Sequence, residues 1–208
     1  MLHRTAKVPG GATIVVLGAN GGVGSTLVQL ARRAGITVIG TASARHHDTV
    51  RELGAIPVDY RDPAAYRRIR ELAPHGVDAV FDHVGGAGLT DSWRLLRRGG
   101  VLVSYGTAAT KDESGNSQLP VLKLFARLAL WNFLPNGKSA HFYNFWAGKR
   151  RPDAFRTRLR EDLTQVLALL ADGALTAQVA AQFPLDEAAA ALALAESHTV
   201  AGKVVIVP

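Results

Sequence analysis

Nine residues, Gly18-Ala19-Asn20-Gly21-Gly22-Val23-Gly24-Ser25-Thr26, carry the pattern with the clearest chemical meaning. Glycines at this spacing let a backbone turn sharply, approach a ligand closely and enter a helix. The free N–H groups and positive dipole end of that helix favour a phosphate or pyrophosphate. A P-loop would need Lys-Ser/Thr after its last glycine, whereas Ser25-Thr26 follow Gly24 directly. Triphosphate hydrolysis therefore lacks its cation. A Tyr-x-x-x-Lys proton-transfer pair is also missing, because none of Tyr60, Tyr66, Tyr105 and Tyr143 has Lys four residues later.

A second group follows in Thr41-Ala42-Ser43-Ala44-Arg45-His46-His47. An NAD-selective site places an acid near the end of the second strand to bind the ribose hydroxyls. No acid occurs here before Asp48. Ser43 and Arg45 can instead donate hydrogen bonds to a 2′-phosphate, which points to NADPH over NADH. His46 and His47 also fit a solvated helix start. Other chemistry is closed off. Without cysteine there is no thiolate nucleophile, disulfide or Cys-based zinc site.

These groups need strands and helices to hold them. Ala12–Gly18 is a continuous apolar run, as expected of a strand covered on both faces. Gly22–Ala34 then has helical spacing of Val23, Leu27, Leu30, Ala31 and Ala34. The alternation continues through Ile36–Thr41 (strand), Arg45–Leu53 (helix), Ile56–Asp59 (strand), Pro63–Leu72 (helix) and Val77–Asp82 (strand). Leu89–Leu96 reads as a helix ending at Gly99-Gly100, and Val101–Tyr105 as a fifth strand. Right-handed crossovers between such strands build a parallel α/β sheet. Ligands sit at the carboxyl ends of its strands, so His83-Val84-Gly85 and Tyr105-Gly106-Thr107 are candidates for the same site. His83 invites a proton-donor role, but a strand-end histidine bonded to backbone is the simpler expectation. Tyr105 is expected to be wall rather than acid.

The second half is less regular. Thr107–Gln118 is polar and reads as a mobile surface loop. Leu119–Leu134 reads as an apolar helix, too short at 16 residues and too interrupted by Lys123 and Arg127 to span a membrane. The aromatics Trp131, Phe133, Phe142, Tyr143, Phe145 and Trp146 are expected to fill core and interface. Pro152 opens a helix with an apolar stripe of Phe155, Leu159, Leu163, Val166, Leu167 and Leu170. Val179–Phe183, a helix over Asp186–Ser197 and Lys203–Val207 close the chain. The 24 Lys+Arg against 17 Asp+Glu give +7, and Lys149-Arg150-Arg151 with Arg156, Arg158 and Arg160 concentrate that charge. No recognition motif accompanies the run, so a solvated helix face is expected rather than a nucleic-acid site.

The sequence resembles the cofactor domain of medium-chain dehydrogenases/reductases, in particular the zinc-independent NADPH:quinone oxidoreductase-like branch. The resemblance rests on Ala19-Asn20-Gly21-Gly22-Val23-Gly24, Val28-Gln29-Leu30-Ala31 and Val77–Asp82 with Val84-Gly85-Gly86. It also rests on Gly99–Gly106 and Gly202-Lys203-Val204-Val205. It implies a doubly wound Rossmann sheet of strand order 3-2-1-4-5-6 with a C-terminal α/β extension. Residues 1–177 would form the dinucleotide-binding domain, and 178–208 a segment that packs on a substrate domain. Only 11 residues precede the first strand, so the chain is expected to be the cofactor half of a longer enzyme lacking a GroES-like N-terminal domain.

The resemblance assigns NADPH to Ala19, Asn20, Gly21, Gly22, Val23, Ser43, Arg45, His47, Tyr60, His83, Val84, Tyr105, Gly106 and Thr107. His47 stands where lysine is frequent, and Tyr60 where a tyrosine contacts the 2′-phosphate. The implied reaction is metal-free hydride transfer to a small hydrophobic conjugated carbonyl or quinone. The chain is expected to be cytoplasmic, with no membrane span and no nucleic-acid partner, in a form that allows a homodimer. The alternative is a non-catalytic NADP(H)-binding regulatory or sensor module.

Overall fold

A computed structural model describes residues 1–106, 118–197 and 199–208. The expected loop Thr107–Gln118 lies outside the described residues, apart from Gln118.

Six parallel strands form the main sheet in the order β3-β2-β1-β4-β5-β6. They are β1 (Thr13–Val16), β2 (Thr37–Ala42), β3 (Ile56–Asp59), β4 (Val77–Asp82), β5 (Leu96–Ser104) and β6 (Ser139–Phe142). β1 shows why the sheet is covered on both sides. Ile14 and Val16 point into one apolar layer and Val15 into the other, all fully buried, as the two-residue period of a strand requires. Helices α1 (Gly22–Arg33) and α2 (His47–Glu52), with the N-terminal segment, cover the first face. The second face is covered by α3 (Ala65–Leu72), α4 (Leu89–Leu95) and α5 (Gln118–Asn132). The order turns back between β1 and β4, which opens a crevice above their carboxyl ends.

Two elements depart from the sequence-based expectation. The fifth strand starts at Leu96 rather than after Gly99-Gly100, and its pairing with β4 shifts register between Val77 and Ala79. Asp78 braces this irregular edge, accepting 2.8 Å from the Thr13 amide and 2.7 Å from Arg97 Nε. β6 carries no apolar run that would mark it in the sequence, since only Ala140 of its four residues is buried. Asn132, at the end of α5, exchanges two 2.8 Å hydrogen bonds with the Ala140 backbone and so steadies this edge strand.

On α5, Leu124, Leu128 and Trp131 face inward at helical spacing, and Trp131 stacks on Trp93 of α4 (4.8 Å, 11°). Phe142 and Tyr143 are partly buried and pack against the two core layers, but the rest do not fill core: Phe133 is 85% and Trp146 60% exposed. Phe145, Trp146 and Phe155 pack on one another instead, with Lys149 over Trp146 and Arg158 over Phe155. Helix α6 (Pro152–Ala171) forms as expected, yet none of its residues is buried. Of its apolar stripe, Phe155 packs on Phe145 and Trp146, whereas Leu163, Leu167 and Leu170 are exposed among the described residues. Among the described residues no helix is long and apolar enough to cross a membrane.

The chain ends in a separate parallel pair, β7 (Val179–Pro184) and β8 (Lys203–Val207), joined through α7 (Ala188–Glu196). Gln29 of α1 holds the approach to it by accepting from the Thr176 amide (2.8 Å) and donating to its carbonyl (3.1 Å). The Gly202 amide donates to Asn20 O at 3.3 Å, which brings β8 beside the glycine turn.

Candidate functional site

A cleft of ≈ 790 Å³ lies over the carboxyl ends of β1, β2 and β4, within the size range of small-molecule sites. Its floor is the turn from β1 into α1. The Gly18 amide donates to Thr41 Oγ1 (3.1 Å), the Ala19 amide to Thr41 O (2.9 Å) and the Gly21 amide to Gly18 O (3.0 Å). Gly18 has φ +68, and an added Cβ would collide with the His83 ring. A Cβ at Gly24 would strike the backbone of Gly18 and Ala19. These two positions therefore demand glycine for reasons of conformation and packing.

The helix start above this floor is bare. No side chain caps α1 and no acid stands in its first turn. Ser25 and Thr26 turn their hydroxyls back to Gly22 O. The free amides thus remain available to an anion. The Lys203 side chain lies across Gly22, where its Cε and Nζ occupy the space a Cβ would need. A concave turn of free N–H groups with an ammonium above it fits a pyrophosphate. Lys203 is 181 residues beyond Gly22 in the chain, and no local signal linked the two.

At one end of the cleft, Ser43, Arg45, His46 and Tyr60 converge. Ser43 is buried at the end of β2, with its side chain unused as a cap. Arg45 Nε donates to His46 Nε2 at 3.2 Å, and Arg61 lies over the Tyr60 ring at 5.7 Å. Burial first, then Arg45 and Arg61, hold the His46 imidazole below its ordinary pKa. Among the described residues lining this end of the cleft none is acidic, and Ser43, Arg45 and Tyr60 offer donors that suit a second anion. The sequence pointed to His47, but the structure places His46 in the cleft lining and His47 outside it. A short 3-10 turn over Ala44–His46 precedes α2, and this sets which imidazole faces the cleft.

At the other end stand His83, Val84 and Gly85. His83 Nδ1 lies 3.1 Å from Leu17 O. A carbonyl only accepts, so Nδ1 is the donor in this contact. Tyr105 sits behind His83, with ring centroids 5.9 Å apart. Burial chiefly, and then Asp82, push its phenol far up, so it stays protonated. A Cβ at Gly106 would meet the His83 backbone. Neither Tyr105 nor Gly106 lines the cleft; nor do Val23, half exposed, and Ala19, fully buried beneath the turn. Thr107 lies outside the described residues. Asn20, Gly21, Gly22, Ser43, Arg45, Tyr60, His83 and Val84 are brought together. Tyr66 and Lys203 join them without having been assigned to the coenzyme site.

Residues 53–206 match the family described as zinc-binding dehydrogenase. Among the described residues no group of three or more His, Asp or Glu could hold a metal ion. The 2-haloacrylate reductase of a Burkholderia species is 30% identical over 219 residues, covering 100% of this chain and 59% of that protein. The synaptic vesicle membrane protein VAT-1 homolog of Rattus norvegicus is 29% identical over 204 residues, covering 95% of this chain and 49% of its own length. A mycobacterial structure complexed with NADPH superposes with a TM-score of 0.74 at 27% identity, covering 99% of this chain and 60% of that one. The chain thus spans about half to three-fifths of the length of these relatives. Sheet order, glycine turn and matched residues agree: the chain belongs to the zinc-binding dehydrogenase family, within the medium-chain dehydrogenase/reductase superfamily, and covers its cofactor-binding part.

Proposed function

We propose that the cleft binds NADP(H), and that the chain is the coenzyme-holding part of a zinc-independent oxidoreductase acting on a conjugated carbonyl or quinone. The observation that carries this reading is the bare α1 N-terminus beneath Lys203, joined in one cleft to the donor group Ser43, Arg45 and His46. Two anion sites connected by one groove suit a dinucleotide with a 2′-phosphate. The mycobacterial neighbour was solved with NADPH, and the Burkholderia relative is named for reducing 2-haloacrylate.

The bound coenzyme supplies the hydride. The protein's own groups bind and orient. The first amides of α1 and Lys203 take the pyrophosphate, while Ser43, Arg45, His46 and Tyr60 take the 2′-phosphate. His83 and Val84 border the ring end. Residues 1–177 serve as the dinucleotide domain, and 178–208 close one side of the cleft.

Calorimetric titration with NADPH and NADH tests the reading. NADPH should bind at least about tenfold more tightly, the worth of one charge-assisted phosphate contact. Equal affinities would remove the 2′-phosphate assignment, and no binding of either would remove the coenzyme itself.

A further inference from the structure

Asp82 ends β4 with 0% exposure. Its Oδ1 accepts from the Val84 amide (2.8 Å) and the Gly85 amide (2.9 Å), and its Oδ2 from Ser92 Oγ (2.8 Å). All three partners donate, which is the pattern around an ionised carboxylate. Among the described residues no cationic side chain forms an ion pair with it. A buried charge held only by neutral donors is costly.

The hydrogen bonds alone do not require that charge. An asparagine could accept from both amides through its oxygen and donate to Ser92 through its nitrogen. The loop being held is the one that forms the ring end of the cleft. It contains two successive left-handed glycines, Gly85 (φ 70) and Gly86 (φ 63), so its shape depends on an anchor. Asp82 also acts on its surroundings. Tyr66, whose phenol is raised mainly by burial and lowered in part by a Ser92 hydrogen bond, is pushed further up by Asp82 and Asp91.

We infer that Asp82 is a positioning residue with a second role: its buried negative charge, set behind the His83–Gly85 loop, biases the cleft toward the oxidised coenzyme. The inference rests on the reading that this cleft binds NADP(H). Nicotinamide carries a positive ring charge only in its oxidised form. A fixed carboxylate behind the ring end therefore discriminates between the two redox states, whereas a neutral anchor of the same shape does not.

The test is the ratio of dissociation constants for NADP⁺ and NADPH, measured by calorimetry at one ionic strength on the full chain. Asp82→Asn should raise the NADP⁺/NADPH ratio by roughly tenfold, the order expected when a unit charge is removed across about one loop's width at an effective dielectric of about 20. Ser92→Ala keeps the charge while removing one hydrogen bond, and should leave the ratio within about twofold even if both forms bind more weakly. If Asp82→Asn weakens both forms equally, or Ser92→Ala moves the ratio as much, Asp82 is an anchor only and the inference falls. If D82N does not give the wild-type circular dichroism spectrum, Asp82→Ser is read by the same ratio and criterion. Failure of the wild type to bind either form is a different result, and it overturns the coenzyme reading itself.

Discussion

The same substitution at two neighbouring glycines should have opposite consequences. At Gly24 a methyl group would sit 2.9 Å from Gly18 C and 3.0 Å from Ala19 Cα, closer still to Gly18 O, and backbone at the floor of a turn cannot swing aside. Overpacking of this kind costs about 1–3 kcal/mol, and close contacts with backbone put Gly24 at the upper end. Alanine returns up to about 1 kcal/mol of helix propensity, less in a first turn. The balance is a loss of about 2 kcal/mol, or roughly 4–8 °C in Tm for a chain of this size. At Gly22 the methyl would meet only the flexible end of Lys203. Lys203 can move, so Gly22→Ala should leave Tm within about 2 °C. It should instead weaken NADPH binding several-fold, by displacing the ammonium from the turn. Thermal melts followed by circular dichroism, with and without NADPH, separate the two effects. A Gly24→Ala protein as stable as the wild type would refute the packing argument, and a Gly22→Ala protein with unchanged affinity would refute the placement of Lys203.

Lys203→Gln should weaken NADPH and NADH by a common factor of about five to ten, because both carry the pyrophosphate and the lysine is solvent-exposed; calorimetry showing loss for NADPH alone would contradict this. The lowered pKa of His46 means the unfolded chain takes up its proton first, so this residue lowers stability as pH falls below about 6.5, the unfolded value. Melts across that range should therefore show a fall that His46→Gln reduces and that NADPH, offering the imidazolium a counter-charge, offsets more than NADH. Asp78→Ala should cost about 1–3 kcal/mol by leaving the Thr13 amide unpaired and freeing Arg97; urea unfolding checks the value, and an unchanged midpoint would show that the β4–β5 irregularity needs no brace.

Much of the sheet was written locally. β4 occupies Val77–Asp82, the bounds expected from the sequence, with Val77, Ala79, Val80 and Phe81 buried between the covering layers. β6 left no such trace: of Ser139, Ala140, His141 and Phe142 only Ala140 is buried, and the strand is held by Asn132 rather than by its own composition. The stripe on α6 was legible as periodicity, but periodicity does not say what it faces. At the site, the glycine turn announced itself because strand, glycines and helix are contiguous. His46 and His47 differ by one position, a 100° turn once a helix begins, so the choice between them depended on where the 3-10 turn gave way to α2. Lys203 and Tyr66 reach the cleft only through long-range packing. Asp82 could be seen at the end of an apolar run, yet its complete burial and its three donors belong to the folded chain.

The β7–β8 pair forms one wall of a groove whose floor belongs to the main sheet, and among the described residues hydrogen bonds at Asn20, Gln29 and Thr176 stitch the two pieces together. A molecule gripping both sides acts as mortar between them. Its arrival should slow amide exchange across residues 179–207 well beyond the residues it touches, so that saturation of the groove and solidity of the last thirty residues become a single equilibrium.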